Sequence, residues 1–105
     1  MKNEYYSNFE SNMKKLNKQE NAIKNDLDSY TIGNSNSKDI EDRLKNNLNS
    51  FNELIIELNE AYKDKNVRNI TQDALERRRE EINKFNESYK NMMNTFDLLS
   101  NEKHS

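Results

Sequence analysis

Cysteine, proline and tryptophan are missing from this 105-residue chain, and glycine and histidine occur once each. Without cysteine there is no disulfide framework, no thiolate metal site and no thiol nucleophile. That usage fits a reducing compartment. Without proline, and with Gly33 as the sole glycine, little in the chain interrupts a long helix. No apolar run approaches the ~20 residues of a membrane-spanning helix. The opening Met1-Lys2-Asn3-Glu4-Tyr5-Tyr6 lacks the apolar core of a signal peptide. The chain as it stands is therefore expected to be soluble. An excess of one charge is missing too: 17 basic residues face 19 acidic ones, for a net charge of −2. Nucleic-acid binding, which needs concentrated positive charge, is not expected.

The groups that carry chemistry are equally sparse. His104, the lone imidazole, lies in the C-terminal tail and is expected to be a plain surface residue. There is no His-Glu-x-x-His, no Gly-rich phosphate loop, no Cys/His pair and no serine beside a candidate base. Carboxylates are plentiful but lack the paired inward spacing of a di-iron bundle. The expectation is no catalytic residue, no metal ligand and no cofactor: a protein that is not an enzyme.

What the chain does have is periodicity. It is 31% hydrophobic and 34% charged, and its mean hydropathy of −1.32 borders on the disordered regime. Yet its apolar residues fall in steps of three and four. One stripe runs Tyr6, Phe9, Met13, Leu16, Glu20, Ile23, Leu27, Tyr30. A second runs Leu44, Leu48, Phe51, Ile55, Leu58, Tyr62. A third runs Leu75, Arg78, Ile82, Phe85, Tyr89, Met92, Phe96, Leu99. Such stripes are the buried faces of amphipathic helices. They predict a single all-α domain over residues 1–105, an antiparallel up-down-up three-helix bundle with helices over about 3–30, 38–63 and 70–99.

The boundaries follow from capping chemistry. Asn3 is a candidate N-cap with Glu4 in the first turn, and Gly33 suits a left-handed C-cap. Asn34-Ser35-Asn36-Ser37 reads as a loop. Ser37 or Asp39 caps the second helix, whose positive end suits Asp39, Glu41 and Asp42. Lys63-Asp64-Lys65-Asn66 reads as a charged connection. Asn69 or Thr71 starts the third helix, with Gln72 and Asp73 in its first turn, and Ser100–Ser105 is expected to fray. Twenty residues are asparagine. About fourteen fall inside the helices, at a summed propensity cost of roughly 8 kcal/mol against alanine. None enters a stripe, so the helices are expected to depend on packing against one another.

Polar residues interrupt two stripes. With the helices aligned end to end, Glu20 shares a layer with Leu48 and Tyr89, which allows a Tyr89 hydroxyl to Glu20 carboxylate bond. Arg78 lies near Phe9 and Leu58. Both side chains are otherwise expected to reach to the rim. Glu76-Arg77-Arg78-Arg79-Glu80-Glu81 is the densest charge cluster, and its spacing suits a solvated, self-paired helix face. Apolar residues also occur off the stripes. Leu54, Ile55 and Ile56 are consecutive and cannot all face one stripe. Met93 and Leu98 are further extras. Leu54, Ile56, Met93 and Leu98 thus read either as a widened core stripe or as a candidate surface that receives a partner helix.

Residues 75–96, Leu-Glu-Arg-Arg-Arg-Glu-Glu-Ile-Asn-Lys-Phe-Asn-Glu-Ser-Tyr-Lys-Asn-Met-Met-Asn-Thr-Phe, resemble the third helix of SNARE N-terminal domains, most of all the GOS-type Golgi Qb-SNAREs. Leu75, Arg77, Arg78, Arg79, Glu80, Ile82 and Tyr89 carry the likeness. Phe9, Leu16, Glu20-Asn21 and Leu27 are similar to the first helix of the same family. Membrin, Vti-type and short Qc syntaxin-like SNAREs share the layout more loosely. The resemblance implies a Habc-like regulatory domain on the cytoplasmic face of Golgi or endosomal membranes. It also implies a role in vesicle transport and fusion, and protein partners among SNAREs, tethers or sorting adaptors. Membrane attachment would come only through a C-terminal anchor outside these residues, and the isolated domain would be a monomer. The rival expectation is a stand-alone coiled-coil or helical scaffold that associates with itself.

Overall fold

The computed structural model describes residues 8–32, 37–63 and 70–104. Three helices fill them: α1, Phe9–Ile32; α2, Ser37–Ala61; and α3, Gln72–His104. They form a slender bundle of 51 × 19 × 17 Å, and no strand occurs among the described residues. The expected Asn3 cap, the Tyr6 stripe position, the Gly33 cap and most of the two connections lie outside the described residues.

The helix starts are built from side chains and backbone the sequence supplies locally. At α3, the Thr71 Oγ1 accepts the Ala74 amide at 3.1 Å, and the Thr71 carbonyl accepts the Leu75 amide at 2.9 Å. Thr71 is thus the N-cap, satisfying donors that have no partner in the helix itself. At α1, the Asn8 carbonyl takes the Asn12 amide at 2.9 Å. Asp39 and Asp73 place negative charge at the first turns of α2 and α3, where the helix dipole favours it.

The stripes become one continuous core. It includes Phe9, Leu16, Ile23, Leu27 and Tyr30 from α1 and Leu44, Leu48, Phe51, Ile55 and Leu58 from α2. From α3 come Leu75, Ile82, Met92 and Phe96. Each fully buried Leu or Ile contributes on the order of 2 kcal/mol of transfer free energy, which the isolated, asparagine-rich helices lack. None of the described asparagines is buried.

Aromatic contacts set the register at three levels. At one end Phe9 meets Tyr62 edge-to-face, with centroids 5.6 Å apart. In the middle Phe51 meets Phe85 at 6.1 Å and Tyr89 at 6.5 Å. At the other end Tyr30 stacks on Phe96 at 5.8 Å. The pairing order makes α1 and α3 parallel and α2 antiparallel to both, the expected up-down-up arrangement.

Two expectations are corrected. The third helix does not fray after Leu99 but continues to His104, because Ser100, Lys103 and His104 are each held by the other helices, as described below. The Glu20–Tyr89 bond is not formed: Glu20 lies 3.7 Å from Lys24 on its own helix, and the Tyr89 ring leans toward Phe51.

Candidate functional site

Two places on the bundle stand out, one at each end. At the end that carries Phe9, the seam between α1 and α3 is open. An open cleft of about 540 Å³ is lined by Met13, Lys14, Asn17 and Glu20 of α1 and Glu81, Lys84 and Phe85 of α3. A second cleft adjoins it, reaching Phe9, Ala74, Arg77 and Arg78. The cause lies in the stripes. Glu20 and Arg78 replace apolar residues on facing helices, so Met13 and Phe85 pack against the core but stay partly uncovered.

Arg78 places its guanidinium carbon 4.8 Å from the Phe9 ring centroid and 6.0 Å from that of Tyr62. The expected position beside Phe9 is the observed one, and the contact is a cation–π interaction. The neighbouring Arg79 departs from the self-paired face expected for the Glu76–Glu81 cluster. Its Nε donates to the Tyr62 carbonyl and its second terminal nitrogen to the Lys63 carbonyl at 2.8 Å. A fork of two donors from α3 therefore caps the turn that follows α2, at the carbonyls of Tyr62 and Lys63.

At the other end lies a polar cluster that the stripes did not single out. Glu41 is only 3% exposed. Its Oε1 accepts three hydrogen bonds: from the Tyr30 hydroxyl at 2.8 Å, the His104 Nε2 at 2.7 Å and the Ser100 hydroxyl at 3.2 Å. The Lys38 ammonium sits 3.8 Å from Oε2, and Lys103 lies over the Tyr30 ring at 4.8 Å. Tyr30, Ser37, Lys38, Glu41, Lys103 and His104 line a cleft of about 270 Å³. The His104 bond is the largest influence on Glu41 and the Tyr30 bond the next. Together they outweigh burial and hold the carboxyl at about 2, below its ordinary 4.5. Burial, and then the bond to Glu41, push the Tyr30 phenol up. His104 stays largely exposed, as expected of a surface residue, but it is also the strongest partner of the one buried charge among the described residues.

Nearby, Arg43 of α2 donates through two nitrogens to both oxygens of Asp26 on α1, at 2.9 and 2.8 Å. Bidentate geometry of this kind fixes register as well as adding attraction.

The four candidate surface residues separate. Leu54, 9% exposed, belongs to the core, and Met93 packs against it. Ile56 and Leu98 are 52% and 66% exposed. Ile56 lies on the Tyr62 side of Phe51, whereas Leu98 lies beside the Tyr30–Phe96 level, roughly 20 Å away along the axis at 1.5 Å per residue. They do not make one patch. Phe85 and Met13, both counted as core from their stripe positions, are the side chains that line an open groove.

Among the described residues no group of three or more His, Asp or Glu is placed to hold a metal ion. Among the described residues no helix is long and apolar enough to cross a membrane. Comparison with known protein families, with curated proteins and with solved structures finds no match.

Proposed function

We propose that this chain is a non-enzymatic helical interaction module of the SNARE N-terminal type. In this reading it acts in vesicle traffic and membrane fusion at the cytoplasmic face of Golgi or endosomal membranes. Its partners are other proteins: SNARE helices, tethers or sorting adaptors. The single observation that supports the reading is the open α1–α3 seam. Met13 and Phe85 form an apolar floor, and Lys14, Glu20, Glu81 and Lys84 form a rim of mixed charge. A groove of that kind suits the apolar face of an amphipathic helix.

The test is a titration of the isotope-labelled chain with isolated SNARE coiled-coil segments, followed by NMR. The expected result is shift changes concentrated at Met13, Asn17, Lys84 and Phe85, weakened by the rim double substitution Lys14→Glu with Lys84→Glu. No change at about 1 mM peptide, the limit of weak binding near 4 kcal/mol, would overturn it. Sedimentation separates the rival: the reading expects a monomer, and association that grows with concentration would favour a self-assembling scaffold.

A further inference from the structure

The last turn of α3 is held differently from the rest of the bundle. Up to Phe96 the helix is anchored by buried apolar side chains. Beyond it, Leu99 is only partly buried, and Asp97, Leu98, Asn101 and Glu102 are exposed. What holds the turn is polar. Ser100 and His104 both donate to Glu41 Oε1, and Lys103 covers the ring of Tyr30, whose hydroxyl donates to that same oxygen. Three side chains of one turn thus depend on a single carboxylate and its phenol partner. Apolar packing weakens gradually as side chains shift, but hydrogen bonds to one atom are lost steeply with distance and angle. Together these contacts leave Glu41 only 3% exposed, so losing one opens the buried carboxylate to water.

We propose that the Ser100–His104 turn is a latch that opens and closes as a unit on Glu41, while the bundle beneath stays folded. Closed, it covers the Tyr30 hydroxyl and the buried carboxylate. Open, it presents that carboxylate, between Ser37 and Lys38, to any basic group able to replace His104. The charged and titratable groups facing the carboxylate are Tyr30 from α1, Lys38 from α2, and Lys103 and His104 from α3. This inference stands apart from the trafficking proposal and needs no partner for its test.

The experiment is amide hydrogen exchange, residue by residue, on the wild-type chain and on Glu41→Gln and His104→Ala. In the wild type, amides 100–104 are expected to be protected at least tenfold over an unfolded peptide. Both variants should remove most of that protection together, over the whole turn. The amides of Leu16, Leu48 and Ile82 should keep theirs in His104→Ala, which removes a largely exposed side chain. Three results would each overturn the latch. They are an unprotected turn in the wild type, a turn unchanged in His104→Ala, or loss of protection throughout the bundle in both variants. The last would make the cluster part of the core.

Discussion

Replacing Glu41 by glutamine removes the charge but keeps the shape and one acceptor oxygen, so it mimics the protonated acid. The structure sets the size of the effect. The carboxyl sits at about 2 in the folded chain against an ordinary value of 4.5. At 1.36 kcal/mol per pH unit, the ionised form therefore adds about 3 kcal/mol to folding. The sign follows from the depression. The contribution is fully present above about pH 4.5 and is lost as pH falls through the folded value near 2. Glu41→Gln should thus be less stable than wild type by about 3 kcal/mol at pH 7, with the gap closing toward zero near pH 2. In urea unfolding, with a slope of roughly 1.5 kcal/mol per molar, the pH 7 gap appears as a midpoint shift of about 2 M. Comparing the two proteins at each pH cancels every other carboxylate. A gap that stayed constant from pH 7 to pH 2.5, or that was under about 0.5 kcal/mol at both, would refute the reasoning.

Other substitutions probe the remaining contacts. Arg79→Ala should cost about 1–2 kcal/mol by removing the two hydrogen bonds it donates to the Tyr62 and Lys63 carbonyls, and Arg79→Lys should recover little, because one ammonium does not span both; urea midpoints read both. Ile55→Ala should destabilise by about 2–5 kcal/mol through a core cavity, whereas its exposed neighbour Ile56→Ala should stay within about 0.5 kcal/mol, as thermal melts will show. A double-mutant cycle on Asp26 and the exposed Arg43 should return less than about 1 kcal/mol of coupling, shrinking in high salt.

The capping residues show how far local chemistry reaches. Thr71, Gln72 and Asp73 start α3 as their side chains dictate, because an N-cap is a contact between neighbours in the chain. The turn that follows α2 is different. Its carbonyls are capped from α3 by Arg79, seventeen residues beyond Tyr62. Spacing within the Glu76–Glu81 cluster pointed to pairs along one helix, since nothing local says which arginine faces a foreign helix end. For Glu41 a signal was present. Stepping back three residues from Leu44 along the second stripe lands on it, just as Glu20 and Arg78 occupy the other two. Counted among the acids of a first turn, it passed as a dipole partner.

The alternation of three and four in the apolar residues, with no proline to break it, was enough to determine three helices, their phases and a shared core. Helical periodicity is a property of consecutive residues, and burying the stripes is the only way so polar a chain gathers apolar surface. Which polar side chains end up dry, paired or lining a groove was decided by tertiary structure alone. The donors to Glu41 come from α1 and from a turn of α3 some sixty residues away, and the open seam runs along α1 and α3 from the level of Arg78 to that of Glu20. Stripe spacing placed Arg78 beside Phe9, but the donors to Glu41 depend on how the far ends of the helices align, which buried rings and one carboxylate fix through space.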